Sequence, residues 1–185
     1  VFMAADNTNG KKGRFFIEKG ARLIIDGATI TSDKIRCPEA EFEGIRIDGD
    51  NNSNQVIGAN QLIANQGLLE MSNGAMLDNA KYAITFGADG TWDTFGGVVQ
   101  ANDATIKATR RAVAFMSYPG INSSYFNRCT FEYAGDFTAG KLPLVTLWAN
   151  DGVKFYGCTF TDNTNRNIYS EYGNSGIFSM DAVYQ

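Results

Sequence analysis

The stretches RCTFEYAG (residues 128–135) and GCTFTDNT (residues 157–164) write Cys-Thr-Phe twice, 29 residues apart, each time ahead of a polar run. The tripeptide is open to three readings: half of a metal site, one end of a disulfide, or a beat in a structural repeat. The rest of the chain decides between them. Aligned on the small residue, the phrase recurs as Asp26-Gly-Ala-Thr-Ile-Thr31, Asn73-Gly-Ala-Met-Leu-Asp78, Asn102-Asp-Ala-Thr-Ile-Lys107, Asn127-Arg-Cys-Thr-Phe-Glu132 and Tyr156-Gly-Cys-Thr-Phe-Thr161, with a weaker copy at Met180-Asp-Ala-Val-Tyr-Gln185. The small residues fall at 28, 75, 104, 129, 158 and 182, so the unit is short and nearly fixed in length apart from one interval of 47. Fixed-period self-similarity is the signature of repeat architectures.

Within each copy the side chains alternate, and period two is the mark of a strand. Ala28, Ala75, Ala104, Cys129, Cys158 and Ala182 form one inward column, with Ile30, Leu77, Ile106, Phe131, Phe160 and Tyr184 beside it. Thr29, Met76, Thr105, Thr130, Thr159 and Val183 face outward. A second strand follows as Ile45-Arg-Ile47, Ile84-Thr-Phe86, Val113-Ala-Phe115 and Val145-Thr-Leu147. A third leads into each marker as ARLII, GLLEM, GVVQA, SSYFN and GVKFY. Between the third strand and the marker stand Asp26, Asn73, Asn102 and Asn127, residue types that tolerate a left-handed bend and suit an asparagine ladder at one corner. The interval of 47 is read as two enlarged loops, 32–44 and 48–67; a degenerate extra turn is the competing account. Helix is nearly excluded, because the best candidate, QLIANQGLLEM, is broken by Gly67.

Stacking a unit of this kind in register predicts an all-β fold, a right-handed parallel β-helix of about six turns spanning residues 1–185 as one domain. Under that reading Cys129 and Cys158 are two free, buried thiols occupying the alanine column, since in-register parallel strands orient Cβ vectors poorly for a disulfide. The open ends of such a rod, and a sequence that begins without Met, point to part of a longer chain.

Composition closes off other classes. A net charge of −4 argues against binding a nucleic-acid backbone, and no apolar run approaches the length of a membrane-spanning helix. Histidine is absent, which removes His-based general bases and His-bearing zinc sites. Three cysteines (Cys37, Cys129, Cys158) are too dispersed for a CxxC zinc site, so no metal site and no cofactor is expected apart from possible calcium.

The phrases FFIEKGARLIIDGATITS, FEGIRIDGD, GGVVQANDATIKATRRAVAFMSY, NSSYFNRCTFEY and GVKFYGCTFTDN, covering most of residues 14–163, resemble right-handed β-helix regions of large secreted or surface proteins of Bacteroidetes, within the pectate-lyase-like solenoid superfamily. Phe42 stands where that pattern usually has Trp, and Ala108-Thr109 where it has Asn-Asn. The resemblance implies an extracellular or outer-surface module joined to further domains or to a secretion or surface complex. It implies no catalytic residues.

Two constellations carry possible chemistry. Asp78, Lys107 and Glu132 hold the same outward place in successive units, and β-helix lyases build calcium sites and a basic proton acceptor from such neighbours. A ladder of exposed ion pairs is the plainer account. In the loop GADGTWDTFGG (residues 87–97), Asp89 and Asp93 are candidate calcium ligands and Trp92 a candidate platform for a sugar ring; Trp148 is a second such aromatic. The expected function is a non-catalytic stalk, adhesive or glycan-contacting module. A polysaccharide lyase or glycoside hydrolase domain is the alternative.

Overall fold

Alternating apolar residues and a near absence of proline leave the backbone donors of this chain free for strand pairing. The computed structural model describes residues 2–3, 13–33, 41–55, 64–88, 90–135, 140–165 and 175–180. Among them the strands are, in chain order, β1 (Phe2–Met3), β2 (Arg14–Ile17), β3 (Arg22–Asp26), β4 (Thr29–Ser32), β5 (Gly44–Ile47), β6 (Leu68–Ser72), β7 (Met76–Phe86), β8 (Val98–Asn102), β9 (Thr105–Phe115), β10 (Tyr118–Ile121), β11 (Tyr125–Asn127), β12 (Thr130–Tyr133), β13 (Val145–Trp148), β14 (Asn150–Asp151), β15 (Lys154–Tyr156), β16 (Thr159–Thr161) and β17 (Ile177–Met180). The fold is all-β, with no helix among the described residues and every paired strand parallel to its neighbours.

The marker strands pair in the order β1-β4-β7-β9-β12-β16. Ile30 meets Leu77, Leu77 meets Ile106, Ile106 meets Phe131 and Phe131 meets Phe160, which is the column expected from the repeat. The second strands align Ile45 with Ile84, Ile84 with Val113 and Val113 with Val145. β7 and β9, at 11 residues each, run through both columns. The second column is longer than the repeat suggested, because β2 pairs with β5 at one end and β17 with β13 at the other. The third strands order as β15-β11-β8-β6-β3. All three columns face one continuous core. In it Phe131 stacks on Phe160 (4.8 Å between centroids), Phe126 on Phe155 (5.2 Å) and Phe86 on Phe115 (4.6 Å).

The long interval between Ala28 and Ala75 resolves in favour of enlarged loops. β3 pairs directly with β6, β4 with β7 and β5 with β7, so no extra strand intervenes in any column.

Several expectations need correction. Ala28 is exposed and Cys158 half-buried, whereas Ala75, Ala104 and Cys129 are buried. Residues near the ends of the described column lack a covering neighbour on one side. Cys129 and Cys158 are both free, as expected, and burial pushes the Cys129 thiol up to about 11. Cys37, Ala182, Val183 and Tyr184 lie outside the described residues. The corner is not a continuous asparagine ladder. In the strand register Asp26 pairs with Ser72, because this corner carries one more residue than its neighbours and takes it up at Asn73 and Gly74, both at positive φ; Asn73 Nδ2 nevertheless donates to Asp26 Oδ1 at 2.5 Å. Asn127 Nδ2 does donate to Asn102 Oδ1 at 3.2 Å, and Arg128 clamps Asp103 through Nε (2.7 Å) and Nη2 (2.5 Å).

Lys141 is fully buried, its ammonium bonded to Asp162 and 5.2 Å from the centre of the Tyr133 ring. Burial pushes the Asp162 carboxyl up, but hydrogen bonds from Lys141 and Thr164 outweigh it and hold the group below its ordinary value of 3.8. A depressed carboxyl contributes stability above its unfolded pKa and loses it as pH falls through the folded value. Urea midpoints should therefore show Asp162→Asn less stable than wild type at neutral pH, with the gap narrowing as the pH drops below 3.8. A gap that stays constant with pH contradicts this role for Asp162.

Candidate functional site

Alternation in the second column turns Phe16, Arg46, Thr85, Ala114, Thr146 and Phe178 into one outward row across six paired strands. The middle of that row is small, so the sheet face is hollow there. Thr85 and Ala114 form the floor of a concavity of ≈ 350 Å³, walled on one side by Arg14 and Arg46 and on the other by Trp92 and Phe95. The Arg46 guanidinium lies 3.9 Å from the centre of the Phe16 ring, which fixes that wall.

The opposite wall is the loop 87–97. Gly87 and Gly90 take positive φ at its turns, and Ala88 N donates to Thr94 Oγ1 at 2.7 Å across its neck. Its outer side is held by Asn51. Asn51 N donates to Asp93 O (3.0 Å), Asn51 Nδ2 to Trp92 O (3.2 Å) and to Ser117 O (3.2 Å), while Phe95 N donates to Asn51 Oδ1 (2.7 Å). Gln66, itself buried, donates to Asp50 O and Ser53 O at 2.9 Å and accepts from Asp50 N at 2.8 Å. Gln55 Nε2 donates to Gly96 O at 2.8 Å and Gln55 Oε1 accepts from Ser123 N at 2.5 Å. Asn51 and Gln55 thus pin the loops of successive units to one another, and Gln66 braces the loop that carries them. A platform on a loop held this way stays in place when a ligand arrives.

On that loop Trp92 is 72% exposed, the highest value among the exposed large apolar side chains together with Ile121. It makes edge-on contacts with Phe95 (6.2 Å) and with Trp148 (6.3 Å, planes at 84°). The two tryptophans, far apart in sequence, are therefore one aromatic corner at the mouth of the hollow. Asp93 contributes its backbone carbonyl to the Asn51 clamp, and Asp89 lies outside the described residues. No group of three or more acidic or thiol side chains that could hold a metal ion occurs among the described residues.

The Asp78, Lys107 and Glu132 strip is divided. Lys107 Nζ pairs with Glu132 Oε2 at 3.3 Å, and Glu132 Oε1 accepts from Asn163 Nδ2 at 3.1 Å. Asp78 accepts from Thr31 Oγ1 and Asn79 Nδ2, both at 3.3 Å. A bulge at Asn79, a buried residue at φ 62°, breaks the register between Leu77 and Ala80 and shifts Asp78 relative to Lys107. The strip is an ion pair with hydrogen-bonded neighbours and does not converge on a common point.

The class these features define is an all-β protein of stacked parallel strands with a rigid, aromatic-walled hollow on one sheet face. No protein-family model matches the chain, and neither a curated protein nor a solved structure does.

Proposed function

We propose that the chain winds as a right-handed parallel β-helix of about six turns and serves as a non-catalytic, extracellular module of a larger secreted or surface protein, binding polysaccharide in the hollow beside Trp92 and Trp148. The observation that carries this reading is an indole left 72% exposed on a loop that one buried and one half-buried amide, Gln55 and Asn51, hold rigid. An exposed tryptophan costs hydration free energy, and a sugar face is an apolar partner that recovers it. Small residues on the floor and arginines on the far wall give a pyranose both room and hydrogen-bond donors. The handedness rests on the strong preference of parallel crossovers for one hand, and the extracellular setting on the resemblance of the repeat phrases.

Affinity electrophoresis and a glycan array, run beside an assay for reducing ends and unsaturated products, test the proposal. Retention by at least one polysaccharide without turnover is expected, and Trp92→Ala should weaken it about tenfold or more. Turnover abolished by Lys107→Ala replaces this reading with that of a polysaccharide lyase or hydrolase.

A further inference from the structure

Arg110 and Arg111 are adjacent on β9, at the bulge where pairing passes from Ala80–Ala108 to Tyr82–Arg111. Their surroundings differ. Arg110 is anchored, with Nε donating to Gly140 O at 3.1 Å and Nη1 to Tyr82 OH at 3.2 Å, and its guanidinium 5.9 Å from the Tyr82 ring centre. Lys81 Nζ lies 5.5 Å from the same ring and 4.0 Å from Glu43. Arg111 has no such anchor. Its Nε is buried and meets no hydrogen-bond acceptor among the described residues. Burial depresses its pKa, and its electrostatic neighbours are the phenols of Tyr82 and Tyr133 and the second arginine, with no carboxylate among them.

A chain with 20 acidic residues against 16 basic ones has ample carboxylates to spend on such a guanidinium, yet among the described residues none is an electrostatic neighbour of Arg111. A desolvated cation without an anion is costly, and each such group in a folded protein calls for an explanation. A guanidinium presents a planar fork that suits a two-oxygen acceptor, and a neighbour already fixed by Tyr82 and Gly140 loses little freedom in sharing the ligand. We propose that Tyr82, Arg110 and Arg111 form an oxyanion-binding site that takes the carboxylate or sulfate group of an acidic polysaccharide. Arg111 precedes Ala114 by three residues on β9, and Tyr82 precedes Thr85 by three on β7, so the site lies about 10 Å from the floor of the hollow along the strands. The polysaccharide part rests on the function proposed for that hollow; the oxyanion site does not. Because the net charge of the chain is −4, attraction is confined to this corner, and binding should depend only shallowly on salt.

The test is titration of the full chain with inorganic sulfate, a polyuronate, a sulfated polysaccharide and a neutral polysaccharide, using wild type, Arg111→Gln, Arg111→Lys and Trp92→Ala. Sulfate should raise the melting temperature of wild type, and one of the two acidic polysaccharides should bind more tightly than the neutral one, which identifies the source of the anion. Arg111→Gln should weaken both effects about tenfold or more while leaving the sulfate-free melting temperature unchanged or higher. Arg111→Lys should recover part of the affinity, and it serves as the reporter if the glutamine variant does not fold. Sulfate binding lost in Arg111→Gln, with no polysaccharide sensitive to Trp92→Ala, keeps the oxyanion site and rejects the polysaccharide reading. Neutral polysaccharide bound through Trp92, with sulfate and acidic polymers indifferent to Arg111, overturns the oxyanion site and leaves that reading standing.

Discussion

Phe131→Ala is expected to cost the fold about 3–5 kcal/mol, the range for emptying a fully buried phenylalanine site. Phe131 is fully buried and stands where two columns meet. Its ring stacks on Phe160 at 4.8 Å with the planes 5° apart, and meets Phe126 edge-on at 5.2 Å and Phe155 at 6.0 Å. These partners belong to β16, β11 and β15, so truncation removes contacts along the stack and across it. Collapse around the vacancy is hindered because each neighbour is itself fixed by strand pairing above or below. Urea denaturation reads the effect as a lower midpoint at nearly constant slope. A loss below about 1 kcal/mol would show that this aromatic stack is not a core.

The second large effect falls on a residue with no side chain. Gly44 opens β5 at φ 112°, a conformation that L residues avoid, and a Cβ built there would sit 1.8 Å from the Tyr82 carbonyl oxygen and 2.8 Å from that of Ala83. Those oxygens are backbone atoms of the paired strand and have no rotamer by which to move away. Gly44→Ala should therefore separate β5 from β7 locally, break the pairing of Ile45 with Ile84, and cost about 3 kcal/mol or more. The variant should melt well below wild type and expose the backbone amides of β5 to hydrogen exchange. Gly74→Ala provides the comparison, since its Cβ would meet no atom within 4 Å and only the φ of 78° opposes it. Equal losses for the two glycines would contradict the steric account.

Much of this architecture was legible because the repeat keeps two properties constant, a small residue and a large apolar residue two places later. Ile30, Leu77, Ile106, Phe131 and Phe160 could be aligned without coordinates, and strand pairing aligns them the same way. β2 and β17 were not read as members of the second column, since neither follows a clear marker at the usual distance. The bulge at Asn79 and the extra residue at Asn73 were hidden for a different reason. One inserted residue leaves the composition of a strand unchanged and reveals itself only in which residues pair, as with Asp26 and Ser72.

The candidate site was legible only in part. Trp92 stood out as an aromatic in a glycine-rich loop, but its contact with Trp148 depends on the stacking of separate units. Asn51 and Gln55, which hold the loop, and Gln66, which braces their own segment, lie in the enlarged loop 48–67, where polar residues show no periodicity to distinguish a clamp from solvated surface. The guanidinium of Arg111 could not be recognised as partly buried from an arginine pair that usually marks exposed surface. In each case the missing information was which loops and bulges come to lie side by side.

The central claim is that equivalent residues of successive units lie over one another in a single register. Spin labels at Thr29 and Thr159 test it directly, in a chain whose Cys37, Cys129 and Cys158 are replaced by alanine; both threonines are exposed and outward on the marker column. Four inter-strand steps separate them, from β4 through β7, β9 and β12 to β16. At ~4.8 Å per step the backbone separation is ~19 Å, and a narrow distance distribution near that value is the predicted result. A broad distribution, or one centred well beyond ~30 Å as in an expanded chain, would contradict the account.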